Sequence, residues 1–527
     1  MTDAHQPSPL RATSSDRPRP STRATASGEG AARGADPRAK PWVVLKFGGT
    51  SVSTRERWEA IRETLSQRLD EGLRPMVVAS ALSQVSNRLE HILEKAAEGA
   101  PVDAELEEIW RDHEKLAEDL GISTDPARPF LDDLTALLHG VRLIHEVTPR
   151  LHARVMSAGE MMSTRLGTEY LRVSGLEARW LDAREILEAT PVDDPRDPTG
   201  RPFLAASCDN SPDRDLQRRL AEEGGAVYVT QGFVASREGE TVLLGRGGSD
   251  TSGAYFAGLL EAERLEIWTD VPGMFTTNPR KVADARLLRR LPYRVAEELA
   301  LRGAKVLHPG AIRAAEEAAV PLHVCWTDRP EVEGTVITDS EASAPAVQAV
   351  SMRKDMVAFS MRVDTDWQPI GLIADLTSCF RNHGLAIDLL ASSPTNLTVA
   401  LDLSTNHTDD GVLDLLVREL RQLSRPRRID GLATISLVGT GIRALLHHWG
   451  EALRCFEDEE VILLSQAAND RSVSFLVRES AAEGLVEQLH ERLFGAGDDD
   501  AGFGPTWSEL MRETATGVRQ PAEVAAH

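Results

Sequence analysis

The sequence predicts a two-part α/β protein: a layered domain with a mostly parallel sheet, followed by two small α+β modules. Three observations carry this. Between Trp42 and about Asp339, continuous apolar strands alternate with helix-like segments, the pattern of a sheet covered on both faces. From about Pro345 to Phe494 the alternation gives way to a repeat. Cys379-Phe380 and the apolar stretches 385–390 and 397–401 return without a gap, 76 residues later, as Cys455-Phe456, 461–464 and 473–477. Finally, each copy reads helix, strand, strand and a further helix, which is a split βαβ (βαββαβ) unit.

The elements follow in order. Trp42-Val43-Val44-Leu45 reads as a buried strand and runs into Lys46-Phe47-Gly48-Gly49-Thr50-Ser51-Val52. Ser53 and Glu56 have the spacing of a capping box, and Trp58, Ile61, Leu65 and Leu69 then mark one face of a helix. Pro75-Met76-Val77-Val78-Ala79 is the next strand, and helical segments fill the stretch from Asn87 to Val173. Ala226-Val227-Tyr228-Val229-Thr230, Thr241-Val242-Leu243-Leu244 and Leu265-Glu266-Ile267-Trp268-Thr269 are further strands. The second of these runs into Gly245-Arg246-Gly247-Gly248-Ser249-Asp250. Paired glycines let backbone N–H groups approach an anion, and the following helix adds its dipole. A single Gly-Gly is usually a tight connection. Two such loops, one with Lys and one with Arg plus Asp, suggest a phosphate donor facing an anionic acceptor. Neither loop has the spacing of a Walker-type P-loop or of a dinucleotide fingerprint.

A chain of 527 residues holds roughly three or four domains. Its 59 Lys and Arg against 82 Asp and Glu give a formal charge of −23, which argues against nucleic acid or an anionic membrane as a general partner. An anionic substrate must be drawn in by local cations, which singles out Lys46 and Arg246. Cys208, Cys325, Cys379 and Cys455 show no metal-ligand rhythm and fit a reducing, cytoplasmic setting. No apolar run has the length of a membrane span. The expected organisation is a disordered tail over 1–40, a catalytic domain over 41–340, modules over 341–430 and 431–494, and a polar tail over 495–527. The first tail loosely resembles a transit peptide, but Asp3, Asp16, Glu29 and Asp36 interrupt its basic character.

Six ordered segments resemble aspartokinase, within the amino acid kinase family. They are the Lys46 and Arg246 segments, Ser157-Ala158-Gly159-Glu160, Thr230-Gln231-Gly232-Phe233, Trp268-Thr269-Asp270-Val271-Pro272-Gly273 and Gly303-Ala304-Lys305-Val306-Leu307-His308-Pro309. The resemblance runs from about Val43 to Phe494. The C-terminal repeat is similar to the tandem ACT modules that bind end-product amino acids in that family, in detail most like its lysine-sensitive, single-function type.

The resemblance implies ATP-dependent phosphorylation of the side-chain carboxylate of L-aspartate, the first step toward lysine, threonine and methionine. Lys46 is similar to the family lysine that stabilises the transferring phosphoryl group, and Asp250 to the aspartate that orients it. The resemblance puts Ser80, Ser86, Glu160, Arg246, Gly247, Gly248 and Ser249 against the amino acid. Arg246 would hold its α-carboxylate by a bidentate fork and Glu160 its α-ammonium. Lys46, Gly48, Gly49, Thr269, Asp270, Phe275, Arg280, Lys305 and Val306 fall to the nucleotide. Mg²⁺ is expected with ATP, held by phosphates and water without a dedicated protein site. Physical reasoning agrees: an acceptor carboxylate is already a nucleophile at neutral pH, and phosphoryl transfer needs positioning and charge neutralisation.

The chain departs from the family pattern at Phe275, where Tyr is common, at Asn278 for Asp, at Gln84 for Gly and at Ser86 for Thr. None removes a charge that the chemistry needs. In the first repeat Asp388 and Ser393 match positions of the lysine-effector site, with Pro394 standing where lysine-sensitive relatives carry Glu. Lysine is the leading effector, and a homodimer or a dimer of dimers through the ACT modules is expected. A non-catalytic sensor would be free to lose Lys46, Arg246 or Asp250, yet all three are present. A carbamate kinase would have no use for Glu160 and Arg246 together. A fused homoserine dehydrogenase is not expected without a dinucleotide fingerprint.

Overall fold

The computed structural model describes residues 40–191, 201–339, 345–362, 371–406, 408–448, 450–466, 468–495 and 502–515. The expected tail over 1–40 lies outside them but for its last residue. The N-terminal region contains strands β1 (Trp42–Phe47), β2 (Arg74–Ala79), β3 (Ala178–Trp180), β4 (Val227–Gln231), β5 (Val234–Arg237), β6 (Glu240–Leu243), β7 (Arg264–Thr269), β8 (Arg286–Leu288), β9 (Arg290–Pro292), β10 (Leu322–Trp326) and β11 (Thr335–Thr338). Eight of them form one sheet in the order β3-β4-β2-β1-β7-β10-β11-β9. Its neighbours run parallel except at β10–β11. This is the mostly parallel layered α/β domain that the apolar strands predict.

Both faces of the sheet are covered. Val43, Leu45, Phe47 and Val77 pack with Trp58, Ile61 and Leu65 of the helix Arg55–Asp70. Val44, Met76 and Val78 pack on the other face with Phe256 and Ile312. Side chains alternate along a strand, so Lys46 points toward this second face. The Arg246 loop, in contrast, is not fed by the main sheet. β6 pairs antiparallel with β5 in a two-stranded ribbon, so the two glycine loops reach the same crevice from different layers.

The capping expectation shifts by one residue. Thr54 caps the helix, accepting from the Arg57 N–H. Ser53 is diverted: its hydroxyl donates to the Gly49 carbonyl at 2.6 Å and accepts from the Ser83 N–H at 2.8 Å. It thereby ties the loop after β1 to the loop after β2.

The C-terminal region is a six-stranded antiparallel sheet. Its strands are β12 (Ala346–Arg362), β13 (Leu389–Ser393), β14 (Asn396–Asp402), β15 (Arg425–Thr440), β16 (Leu463–Gln466) and β17 (Ser472–Arg478), in the order β13-β14-β12-β15-β17-β16. The 76-residue offset carries β14 onto β17 end to end. Besides a cluster of Met356, Ala358, Leu389, Leu463 and Leu476 that links the edge strands β13 and β16, two cores lie against it. Val357, Phe359 and Met361 join Leu376, Cys379 and Phe380 in one. Val350, from the other end of the same β12, joins Ile435, Cys455 and Phe475 in the second. The expected division at 430/431 therefore does not follow the cores, because β12 is long enough to serve both. The first module is nested between two pieces of the second.

A second correction concerns the expected polar tail over 495–527. Residues 502–515 contain strand β18 (Phe503–Thr506), paired antiparallel with β8, and the helix Trp507–Ala515. Leu510 is 2% exposed and packs with Phe275, Ala285 and Leu287. Alternating polar and charged residues hid one apolar stripe. All four cysteines are free. Among the described residues no helix is long and apolar enough to cross a membrane.

Candidate active site

The crevice lies at the carboxyl ends of the central strands, where open parallel sheets bind ligands. β1 delivers Lys46 between β2 and β7. The helix Gly248–Leu259 crosses above it and places Asp250 in its first turn. Lys46 Nζ lies 2.5 Å from Asp250 Oδ1, with both side chains mostly shielded from water. Gly253 makes this approach possible: a Cβ there would come within 3.1 Å of Leu265 and 3.4 Å of Lys46 Cβ. Gly247, the residue before the helix, has φ +64° and abuts the ring of His308. A side chain would be both strained and obstructed there.

The opposite wall is built from the long helix Pro149–Val173 and the loop after β2. The Ser163 hydroxyl donates to the Ser80 carbonyl at 2.6 Å, and the Ser80 N–H donates to the Phe47 carbonyl at 3.2 Å. These bonds lock Ser80 between the helix and β1. Glu160, on the same helix, is 3% exposed. One carboxylate oxygen, Oε2, has no hydrogen-bond partner. Burial pushes its pKa up to about 8, partly opposed by a hydrogen bond from the Ala81 backbone. A buried carboxylate with an open oxygen is costly unless a donor arrives. Ser86 is half-buried in the first turn of the helix Val85–Ala97. Gln84, just before it, has φ +64°, which explains why glycine suits this position, and its side chain accepts from Asn87 Nδ2 at 2.8 Å.

On the other side of β1, β7 ends at Thr269, whose hydroxyl donates to Asp270 Oδ1 at 3.2 Å. Asp270 pairs with Arg280 at 3.1 Å on the exposed rim. Lys305 is exposed and Val306 half-buried in the loop before the helix Pro309–Glu317. Arg246 and Gly247 are exposed, whereas Gly248 is buried and Ser249 half-buried against Gly232. Phe275 does not point into this crevice. Its ring is 8% exposed and meets Trp507 edge-on at 5.8 Å.

Two residues in the quoted segments carry features that sequence reasoning missed. Phe233 has φ +70°, a strained conformation for an aromatic residue, and its N–H is held by the Ser252 hydroxyl at 2.8 Å. His308 packs on Gly247 and feels the charges of both Asp250 and Arg246; burial lowers its pKa and keeps the ring neutral. Its Nδ1 accepts from the Gly310 N–H at 3.2 Å. Both lay in recognisable motifs, yet backbone strain and ring packing leave no mark in the sequence.

Asp388 and Ser393 lie far along the chain, in the first module. Arg353 of β12 bridges Asp388 at 2.5 Å and Asp402 at 3.2 Å. Ser393 and Asn396 close the two-residue turn that joins β13 to β14, with Pro394 at its tip. Arg353 also abuts Gly303, at the start of the loop that carries Lys305, Val306 and His308.

Residues 41–325 match the model of the amino acid kinase family. The chain is 30% identical over 460 residues to lysine-sensitive aspartokinase 3 of Escherichia coli, covering 86% of this chain and 99% of that protein. It is likewise 30% identical over 474 residues to the chloroplastic aspartokinase 1 of Arabidopsis thaliana, covering 86% and 80%. The crystal structure of E. coli aspartokinase III with aspartate and ADP, in its R-state, superposes with a TM-score of 0.72 at 29% identity, covering 86% of this chain and 99% of that one. The same enzyme with lysine and aspartate, in its T-state, gives 0.70 at 30% identity, with the same coverage.

Proposed function

The chain belongs to the amino acid kinase family and, within it, to the aspartokinases; from that premise we propose that it moves the γ-phosphoryl group of ATP onto the side-chain carboxylate of L-aspartate. A carboxylate oxygen forms the new bond to phosphorus as the bridging oxygen of ADP departs, and no proton needs to move. Lys46 neutralises charge on the phosphoryl oxygens in flight, and Asp250 holds the ammonium in place. The helix beginning at Gly248 aims its positive end into the same space. Thr269, Asp270, Arg280, Lys305 and Val306 form the nucleotide side. Mg²⁺ would accompany ATP, held mainly by phosphates and water, and would supply further charge neutralisation; among the described residues no cluster of carboxylates, His or Cys forms a dedicated site.

The observation that carries the reading is Glu160. A buried carboxylate with one open oxygen, across a crevice from a paired lysine, suits an α-ammonium. The test is ATP turnover followed as acyl-hydroxamate with aspartate, glutamate or carbamate as acceptor. Turnover that is equal across the three, or absent with aspartate, overturns the assignment.

Arg246 is assigned to the α-carboxylate. Arg246→Lys keeps the charge but loses the planar fork, so the aspartate KM rises roughly tenfold while the ATP KM moves little. Equal rises in both constants would transfer Arg246 to the nucleotide.

The regulatory sheet is proposed to bind an end-product amino acid, lysine first, at Asp388 and Ser393. Asp388 is already engaged by Arg353, so an effector ammonium competes with an internal guanidinium. Displacing that guanidinium disturbs Gly303 and, through its loop, the nucleotide side. Coupling of ~1–3 kcal/mol is enough to regulate. The edge strands β13 and β16 expose Leu390 and Leu464 and suit pairing with a second copy. Lysine is expected to inhibit the intact chain and to act much more weakly on Asp388→Ala. Inhibition that survives this substitution unchanged places the effector elsewhere.

A further inference from the structure

The C-terminal segment is attached beside the catalytic wall, where β18 pairs with β8. The stretch between Thr269 and Arg286 leaves the sheet at the nucleotide side and folds back along β8: the Thr276 N–H donates to the Arg286 carbonyl at 2.9 Å and the Leu288 N–H to the Met274 carbonyl at 2.8 Å, while the Met274 N–H donates to the Thr335 hydroxyl of β11 at 2.9 Å. Its remaining anchors come from elsewhere in the chain. The Val350 N–H of β12 donates to the Thr276 carbonyl at 2.7 Å. His490 of the helix Glu479–Phe494 meets the Thr276 hydroxyl at 2.8 Å. Lys281 pairs with Glu483 of that helix at 3.1 Å.

The third anchor is β18 and its helix. The Trp507 N–H donates to the Ala285 carbonyl at 2.9 Å and the Ser508 N–H to the Ala283 carbonyl at 3.0 Å. The Trp507 ring lies between Phe275, at 5.8 Å, and Trp326, at 6.2 Å. Trp326 pairs in register with Thr269 at the end of β10, and the Thr327 N–H donates to the Thr269 carbonyl. One indole therefore touches both elements that flank Thr269. Arg329 donates to the Leu510 carbonyl at 2.9 Å and fastens the helix from below.

We infer that β18 and the helix Trp507–Ala515 form a strap that positions the nucleotide wall, with Trp507 as a positioning residue for ATP. This rests on the reading that Thr269, Asp270 and Arg280 face the nucleotide. Phe275, an expected nucleotide contact, acts instead through the strap. Releasing the strap leaves the wall fractionally in its competent arrangement, which weakens apparent ATP affinity by that fraction.

The experiment uses the full-length chain as Trp507→Ala, Trp507→Phe and Leu510→Ala, with ATP and aspartate varied separately. Trp507→Ala is expected to raise the ATP KM about five- to tenfold, with the aspartate KM within about twofold of the parent. Trp507→Phe keeps an aromatic edge against Phe275 and recovers most of the ATP affinity. Leu510→Ala shows the same pattern more weakly and serves as the test if Trp507→Ala does not fold. A lower Tm with an unchanged ATP KM would make the strap a stabiliser only. Parallel rises in both KM values would make it a general brace. Either result overturns the inference. A parent chain without aspartate-dependent turnover would instead overturn the reading of the site itself.

Discussion

Lys46→Ala leaves a folded protein whose kcat is reduced on the order of 10²-fold or more. The ammonium is the one cation that β1 delivers to the crevice, and Asp250 fixes it at 2.5 Å. The glycines packed against it, Gly48 and Gly253, bring no side chain that could take its place. The fold bears a separate cost. With side chains only 12% and 14% exposed, removing Lys46 leaves Asp250 a mostly buried, unpaired charge, and stability falls by about 3 kcal/mol. Turnover and thermal unfolding measured on one preparation separate the two effects. A variant with near-normal kcat would remove Lys46 from the chemistry.

Glu160→Gln has the second large effect, and it divides function from stability. The carboxylate is held protonated in the substrate-free protein because burial raises its pKa to about 8 from an ordinary 4.5. The native state thus binds a proton that the unfolded chain has released, and stability falls as pH rises between these two values. The contribution is fully present below about pH 4.5 and lost by about pH 8. Glutamine has no charge to bury, so the variant's Tm falls less across this window than the parent's. Aspartate binding suffers the reverse. An α-ammonium calls for the ionised form, and loss of a charge-assisted hydrogen bond raises the aspartate KM roughly 10²-fold. In the parent, aspartate binding near neutral pH releases a proton from Glu160, visible in calorimetry as a heat that varies with the buffer. An aspartate KM unchanged by the substitution would sink the assignment.

Part of the fold was legible in the sequence for physical reasons. Lys46 alone reads as an ordinary strand-end lysine; it became a candidate because two glycine loops and a formal charge of −23 make local cations informative. The two ACT cores were legible through β14 and β17, whose apolar patterns share a register. The strand that both cores use was not, because β12 reads as one polar-interrupted run whichever core it serves. β18 was hidden as well. Phe503-Gly504-Pro505-Thr506 contains the two residues that most weaken a strand assignment, and its partner β8 lies more than 200 residues earlier. The engagement of Asp388 by Arg353 and the strain at Phe233 depend on geometry that no residue pattern records.

The nesting of the first module within the second also sets an order of assembly. The second core needs Val350 from the start of β12 and Phe475 from β17, so a growing chain cannot complete it until nearly the whole region has emerged. Left unstructured, the intervening chain would close as one long loop, with the entropy that such a loop loses. Once the first module has formed from its own contiguous strands and helices, it brings β12 and β15 side by side, and their remaining length can zip from the folded end. The unit proposed to bind the effector would thus double as the nucleus from which the unit touching the catalytic wall is built, and damage to it would slow folding as well as blunt regulation.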